Sequence, residues 1–339
     1  MKFRKLGKSG LLVSELALGT MIFGEDSQRS TPEKAAVEII SAYIDLGGNH
    51  IDTANVYAGG RSEEIIGKAI KGKRSKLIIA TKVRGRVGNG PNDEGLSRYH
   101  IQRSVEASLK RLQVNHIDLL YMHTWDPVTP IEESLEAFND LVKTGKVTYI
   151  GVSNFKAWQM MKSLGLSDQN GWARFTAAQY QYSLVIRDIE EEISEMCDLE
   201  GVGLVPWGPL GGGFLTGKYE QGRSPKDPSE GRIAITTSEA EEYWERRSTD
   251  RNWNILNVME EIAKEQSATH SQIALKWLLS QRAVSSIIIG VRTMEQLMDN
   301  LKATTLSLTS EEISKLTEVS EIPVRYPARF IRTYGNRLF

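Results

Sequence analysis

Cysteine is almost absent from this chain: its 339 residues contain one, Cys197. No internal disulfide can therefore form, and a reducing compartment fits this composition. Cys197 lies in the polar helical pattern of residues 189–200. A small buried helix residue is therefore a more economical interpretation of Cys197 than a nucleophile.

Long apolar runs and an excess of one charge are also missing. The run that includes Ile287 and Ile289 is far too short to cross a bilayer, and the first ten residues lack the apolar stretch of a signal peptide. The chain has 42 Lys plus Arg and 43 Asp plus Glu, so its net charge is close to zero. Its overall electrostatic field therefore does not favour binding to nucleic acid or to a membrane surface. We expect a cytoplasmic protein, a monomer or small homo-oligomer, that binds neither.

Three families of catalytic motif are missing as well. The five histidines show no ligand spacing and have no second cysteine beside them, which argues against a metal site. There is no nucleophile elbow and no Ser-His-Asp order. The run G-P-L-G-G-G follows a strand pattern but opens a long loop, so it is not the strand-turn-helix G-x-G-x-x-G of a dinucleotide-binding domain.

What the sequence does contain is a regular alternation of strands and helices. A hairpin is predicted at residues 3–6 and 11–14, around G-K-S-G. Eight apolar runs then alternate with helical patterns, which predicts the α/β class with a parallel sheet buried on both faces. Eight units favour a closed (β/α)8 TIM barrel over an open sheet. The predicted strands are 16–19, 50–54, 77–83, 117–123, 148–153, 176–180, 203–207 and 286–289. The predicted helices are 32–46, 61–71, 100–112, 131–143, 156–164, 189–200, 252–266, 271–281, 294–301 and 310–320.

Two segments stand outside this alternation. Residues 208–248 are rich in Gly, Pro and charge and have no apolar period, which is typical of a long functional or mobile loop. The tail of residues 325–339 mixes Arg with aromatics. RNA binding is one interpretation, but a tail that packs over the barrel or covers a pocket is favoured. No linker or repeat divides the chain, so we predict one domain over residues 1–339.

Polar residues follow three successive predicted strands. Asp52 and Tyr57 lie in I-D-T-A-N-V-Y, Lys82 lies in A-T-K-V, and His123 is the last residue of Y-M-H. In such barrels the catalytic groups come from this end of the strands. Neighbouring strands lie about 4.8 Å apart, so the charges of Asp52 and Lys82 could pair directly.

This set suits protonation of an oxygen that gains negative charge, as in carbonyl reduction. We expect Lys82, held by Asp52, to lower the pKa of Tyr57 and make it a usable general acid. His123 would hydrogen-bond the substrate oxygen. The alternatives are a structural ion pair, a surface tyrosine, a histidine in an ordinary polar contact, and a barrel enzyme that uses Lys82 as a Schiff-base nucleophile.

Motifs along nearly the whole chain resemble those of the aldo-keto reductase superfamily. They are L-A-L-G-T-M, H-I-D-T-A-N-V-Y, A-T-K-V, I-D-L-L-Y-M-H, K-V-T-Y-I-G-V-S-N-F, V-P-W-G-P-L-G-G-G-F-L-T-G-K-Y and I-I-I-G-V-R-T-M-E-Q-L-M-D-N. The sequence is most similar to the branch with bacterial ketoreductase-like members and potassium-channel β subunits. The resemblance implies a barrel closed at its base by the hairpin, with Tyr57 as proton donor, Lys82 and Asp52 as its tuners and His123 as the residue that orients the substrate.

The resemblance also implies a site for an extended nicotinamide cofactor. Ser153, Asn154 and Gln179 would hold the carboxamide, and Trp207 would stack on the ring. Residues 208–218 would wrap the pyrophosphate, and Arg292 at a helix start would contact a 2′-phosphate, which predicts NADP(H) rather than NADH. The full cofactor set is Gly19, Thr20, Met21, Asp52, Ser153, Asn154, Gln179, Trp207, Gly208, Pro209, Leu210, Gly212, Lys218, Gly290, Arg292, Gln296, Asp299 and Asn300.

The function predicted from this resemblance is reversible, NADPH-dependent reduction of a small aldehyde or ketone. The substrate is expected to contact Phe23, Tyr57, His123 and Trp125. The alternative is a regulatory subunit that holds NADPH and senses redox state with little turnover.

Overall fold

The apolar runs form the wall of a barrel. The computed structural model describes residues 1–25, 27, 30–237 and 243–335. A hairpin of β1 (Phe3–Lys5) and β2 (Leu12–Ser14) comes first. In the described residues, eight strands then form one parallel sheet: β3 (Leu16–Gly19), β4 (His50–Asp52), β5 (Ile78–Val83), β6 (Ile117–Met122), β7 (Val147–Ser153), β8 (Phe175–Gln179), β9 (Gly203–Leu204) and β10 (Ile287–Gly290). Their order is β10-β3-β4-β5-β6-β7-β8-β9.

The sheet closes on itself. The Leu204 amide donates to the Ala283 carbonyl and the Ile288 amide donates to the Pro206 carbonyl, each over 2.9 Å. These bonds join the β9 end of the sheet to the β10 end, and β10 also pairs with β3. The predicted (β/α)8 barrel is thereby confirmed, and the carboxyl ends of its strands meet at one rim.

Helices cover the outside of this barrel because their apolar faces pack on the outward side chains of the strands. In the described residues none of them is both long and apolar enough to cross a membrane. They are α1 (Glu33–Asp45), α2 (Arg61–Ala69), α3 (Arg98–Leu112), α4 (Ile131–Lys143), α5 (Ala157–Asn170), α6 (Ile193–Glu200), α7 (Trp244–Arg247), α8 (Asp250–Gln266), α9 (His270–Leu279), α10 (Met294–Leu301) and α11 (Ser310–Val319). A further helix, α12 (Ala328–Tyr334), has no buried residue and is not part of this layer.

The hairpin fills the amino end of the barrel. Leu6 and Val13, both fully buried, join the cluster of inward-facing side chains Ala17, Ala80, Leu119, Tyr121, Ala177, Val205 and Ile288. Gly7 follows at φ 58°, and a Cβ at this position would lie 2.4 Å from the Gly201 carbonyl oxygen. The close approach therefore needs glycine, and the hairpin covers the end of the barrel opposite the carboxyl rim.

Among the elements whose ends differ from those predicted, one helix and one strand have a glycine or a proline close to the end. The predicted helix 156–164 continues through Gly165 to Asn170, and Gly171 follows at φ 64° as a left-handed cap. The predicted strand 203–207 is only Gly203–Leu204, since Pro206 has no amide to donate to a neighbour.

The two irregular segments behave differently from each other. Residues 208–237 form short 3-10 turns that contact the barrel rim, whereas residues 238–242 of the predicted loop lie outside the described residues. In the tail, the prediction of packing over the barrel is wrong for residues 325–335. Helix α12 has no buried residue, and Tyr326, Phe330, Ile331 and Tyr334 are exposed. Residues 336–339 of the tail lie outside the described part.

Acid should destabilise this barrel through His50, whose ring is fully buried beside Ser286 (Nδ1 to Oγ, 3.1 Å). Burial lowers the pKa of His50 from 6.5 to about 4, against an opposing effect of Asp52. Between these two pH values only the unfolded chain binds the proton. As the pH is lowered from 6.5 to about 4, the free energy of unfolding therefore decreases by about 3 kcal/mol. Denaturant unfolding of His50→Leu at about pH 7 and pH 4 should lack this component. An unchanged pH dependence would contradict the assignment.

Candidate active site

Three of the four predicted strand-end residues are in contact. Lys82 Nζ donates to Asp52 Oδ1 (2.5 Å), to the Thr53 carbonyl (2.8 Å) and to Tyr57 Oη (3.2 Å). The register explains the contact: Asp52 pairs with Ala80, so Lys82 lies one inward position further along β5. Its side chain can therefore reach both the strand end and the turn that carries Tyr57.

Burial sets the protonation states of this group. The side chains of Lys82 and Asp52 are 0% and 3% exposed. Burial lowers the pKa of Lys82, but the Asp52 carboxylate and Tyr57 outweigh it and raise that pKa above its ordinary value. Burial also raises the pKa of Tyr57, and Lys82 opposes this only in part. The prediction of a lowered tyrosine pKa is therefore wrong in this state, and Tyr57 keeps its proton at neutral pH.

His123 follows β6 directly and faces Tyr57. The two ring centres are 6.0 Å apart and the ring planes meet at 78°. Burial, followed by the charges of Lys82 and Arg84, lowers the pKa of His123 to about 3. The imidazole is thus neutral at physiological pH, with one donor and one acceptor nitrogen.

Amide side chains from the next two strands extend the polar network. Gln179 Nε2 donates to Asp52 Oδ2 (2.8 Å), and Ser153 Oγ donates to the Gln179 carbonyl (2.8 Å). Asn154, at φ 55°, donates from Nδ2 to Ser153 Oγ (2.9 Å) and accepts from Trp207 Nε1 (3.3 Å). One chain of hydrogen bonds thus joins the Asp52 carboxylate to these side chains.

A cavity of about 970 Å³ opens at this rim. Its lining includes Asp52, Tyr57 and His123, whereas Lys82 lies behind Asp52 and Tyr57. All the other predicted cofactor residues line it too: Gly19, Thr20, Met21, Ser153, Asn154, Gln179, Trp207, Gly208, Pro209, Leu210, Gly212, Lys218, Gly290, Arg292, Gln296, Asp299 and Asn300.

Cations gather in the same cavity. Lys218, Arg232 and Arg292 all line it. Burial and then the charge of Arg292 lower the pKa of Lys218, so these two cations are near enough to repel each other. Such a convergence is stabilised by a bound anion. Gly231 packs directly against the end of the Lys218 side chain: a Cβ at Gly231 would lie 2.2 Å from Lys218 Nζ. The segment before Arg232 therefore folds back onto the segment that carries Lys218.

Comparison with known proteins assigns this architecture to a family. The sequence model of the aldo/keto reductase family matches residues 15–321. The chain belongs to the aldo/keto reductase family. It is 38% identical over 330 residues to YrpG, an oxidoreductase of Bacillus subtilis, covering 94% of this chain and 96% of that protein.

Two further relatives carry more specific names. A probable voltage-gated potassium channel subunit beta of Arabidopsis thaliana is 36% identical over 337 residues, 97% of this chain and 100% of the relative. A norsolorinic acid reductase of Aspergillus flavus is 34% identical over 335 residues, 95% of this chain and 82% of the relative. The chain is thus a carbonyl-reducing oxidoreductase of a family that generally uses NAD(P)H.

Two predicted substrate contacts of this aldo/keto reductase do not line the cavity. Phe23 is fully buried in the hydrophobic core between sheet and helices. Trp125 packs edge-on against Phe155 and at a tilt against Trp158, with ring centres 5.1 and 5.6 Å away. Both residues are close in sequence to cavity residues, which is why the motifs suggested them.

Sequence reasoning also missed residues that line the cavity. Arg232 lies in the irregular segment after β9, where no period signals position. Thr269 caps the amino end of α9 and donates from Oγ1 to Asp299 Oδ2 (2.9 Å). Its position as a helix N-cap was the one usable signal. The others are Ile22, Gly231, Ser271, Ile288, Ile289, Glu295, Met298 and Lys302, whereas Gly213 and Thr216 fall within the predicted pyrophosphate segment of residues 208–218.

Proposed function

We propose that this aldo/keto reductase reduces small aldehydes and ketones with NADPH and that Tyr57 donates the proton. The observation that carries the proposal is the buried contact of Lys82 with both Asp52 and Tyr57, because this contact sets a proton donor beside a cavity that also gathers cations. The reaction is reversible, so an alcohol and NADP⁺ are also substrates.

The residues of the cavity fit the cofactor chemically. Asn154 and Gln179 offer amide donors and acceptors for a carboxamide, and Trp207 offers an aromatic face for a ring. Lys218, Arg232 and Arg292 offer positive charge for phosphates, and a third phosphate distinguishes NADPH from NADH. We therefore assign the first group to the nicotinamide end and the cations to the phosphates.

A nicotinamide held by these residues would supply the hydride that the carbonyl carbon accepts. As the carbonyl oxygen gains charge, Tyr57 transfers its hydroxyl proton to that oxygen and becomes a phenolate. Lys82, 3.2 Å from Tyr57 Oη, stabilises this phenolate until a solvent proton restores the hydroxyl. Neutral His123 donates a hydrogen bond to the same oxygen and holds the carbonyl towards Tyr57.

Two alternatives make different demands on the same residues. A Schiff-base enzyme needs a neutral lysine, but the pKa of Lys82 is raised and its amine is an ammonium at neutral pH. A regulatory NADPH-binding subunit is favoured by the 36% identity with the channel subunit of Arabidopsis. The contacts among Asp52, Lys82 and Tyr57 favour turnover, since binding alone does not need a proton donor.

One assay tests the proposal. The purified protein, NADPH and a panel of neutral and charged aldehydes, ketones and sugars are mixed, and loss of the reduced nicotinamide absorbance is followed. We expect turnover of carbonyl compounds, with NADPH preferred over NADH. Tight NADPH binding without oxidation of any panel member would support the regulatory alternative, and absence of NADPH binding would overturn both.

Arg292 should decide between the two cofactors. We expect Arg292→Gln to weaken NADPH binding at least about tenfold, since a charge-assisted phosphate contact contributes roughly 1.5–3 kcal/mol. NADH binding should stay within about twofold. Titration calorimetry with both cofactors measures the difference.

Arg282→Gln is the matched control, because Arg282 pairs with Asp198 and its side chain is 87% exposed. This variant should bind both cofactors like the wild type. Equal losses of NADPH and NADH affinity in Arg292→Gln would contradict the phosphate assignment.

A further inference from the structure

Arg84 lies at the carboxyl rim of the barrel, next to the cavity but not among the residues that line it. It follows β5, the strand between those that precede Tyr57 and His123. The His123 amide donates to the Val83 carbonyl (3.0 Å), which fixes the two strand ends against each other. Arg84 is also near enough to His123 for its charge to lower the pKa of the imidazole.

The guanidinium of Arg84 makes no close contact with a carboxylate in the described part of the chain, although, after Arg86, its charge also lowers the pKa of Glu94 from a distance. Its Nε is buried, and within the described residues its side chain forms no hydrogen bond or ion pair. Other shielded guanidinium groups are paired, such as Arg111 with Glu63 (2.7 Å) and Arg187 with Glu190 (2.8 Å). Arg84 is half-buried, and its Nε is a buried donor without an acceptor, which is costly; an acceptor on a bound ligand would satisfy it.

The nearby carboxylates are engaged elsewhere. Glu94 accepts from Arg86 at both oxygens, over 3.1 and 3.4 Å. Asp126 accepts from the Leu96 amide (2.7 Å) and also caps the turn that follows it. Asp93 accepts from the Gly90 amide (2.7 Å) and lies 3.9 Å from Arg103 Nη1, so each of these three carboxylates has another partner among the described residues.

The backbone holds Arg84 in an unfavourable conformation. Its φ is 144°, a value that non-glycine residues rarely adopt and that costs on the order of 1–3 kcal/mol. The next residue packs closely against the segment that carries Tyr57, because a Cβ at Gly85 would lie 2.6 Å from Val56 Cγ1. Strain of this kind is retained where a side chain must be aimed at a ligand.

We propose that Arg84 binds an anionic group, a carboxylate or a phosphate, on the carbonyl substrate. The inference rests on the proposed reductase function and names its substrate class: small aldehydes and ketones that carry a negative charge a few bonds from the carbonyl. The oxyanion accepts side-on from Nε and a neighbouring Nη of Arg84. The carbonyl oxygen then lies between Tyr57 and His123.

Matched substrate pairs test this inference. Succinic semialdehyde and its methyl ester form the carboxylate pair, and glyceraldehyde 3-phosphate and glyceraldehyde form the phosphate pair. The quantity measured is the ratio of kcat/KM for the charged member to that for the neutral member. We expect a wild-type ratio of at least about ten in one pair, which identifies the anion, and a fall of at least about tenfold in Arg84→Gln.

Two further variants complete the test. Arg86→Gln removes the same charge from the same loop at an exposed ion pair and should keep the wild-type ratio. Arg84→Lys keeps the charge without the planar donors and should keep part of the preference. Three results would each overturn the inference: a wild-type ratio near one in both pairs, an undiminished ratio in Arg84→Gln, or an equal loss in Arg86→Gln. In each case, reduction of the neutral compounds would still support the reductase function. No reduction of any of the four compounds overturns both.

Discussion

Tyr57→Phe should lose carbonyl reduction by a factor on the order of a thousand in kcat. The substitution removes only the hydroxyl that would carry the proton, and a positioned general acid contributes roughly 10²–10⁴ in rate. The raised pKa of Tyr57 sharpens the expectation, since this group releases its proton only to an oxygen that is becoming strongly basic. Steady-state kinetics measure the loss, and calorimetry should find NADPH affinity within about threefold.

Tyr99→Phe is the control for this substitution. Tyr99 is 55% exposed on α3 and loses the same single oxygen atom. Its kinetics should match the wild type. Normal turnover by Tyr57→Phe would show that another group donates the proton and would sink the assigned mechanism.

The second large effect concerns stability. Asp52→Ala should lower the free energy of unfolding by about 3–5 kcal/mol, because it leaves the Lys82 ammonium buried without its carboxylate. Lys82→Met should have a cost of the same kind, since it leaves the Asp52 carboxylate unpaired. Removing both charges together should cost less than the sum of the single changes, which a double-mutant cycle by denaturant unfolding measures.

Measuring the turnover of the double variant distinguishes a catalytic role of the Asp52–Lys82 ion pair from a purely structural one. The double variant should regain stability relative to the single variants but remain inactive, since no cation stabilises the Tyr57 phenolate. Additive stability losses would contradict direct coupling of the two charges. Recovered turnover in the double variant would contradict the role of Lys82 in the reaction.

The sequence was sufficient for the barrel because each strand is an apolar run that a helix pattern follows. It also brought Asp52, Lys82 and Tyr57 together correctly, since the carboxyl ends of parallel strands share a rim. It did not anticipate Arg232, whose place depends on how the chain doubles back at Gly231. An irregular segment has no repeating pattern of apolar residues, so its sequence does not predict the course of its backbone.

Two other features were beyond the sequence for different reasons. The pKa of Tyr57 depends on how completely the ring is buried, and the sequence showed only its charged neighbour. In the sequence, Arg84 is one of two arginines in the loop between β5 and α3. Its importance arises from an absent partner and from its φ of 144°, which are properties of three-dimensional placement.

The way the barrel closes has a consequence for its synthesis. The last strand, β10, lies between β3 and β9, and residues 283–288 supply the bonds that join the two ends of the sheet. Until the ribosome has released this stretch, the nascent chain presents two unpaired strand edges, which are templates for aggregation. Chains truncated before residue 283 should therefore accumulate as aggregates, and a chaperone that shields strand edges should act late in translation.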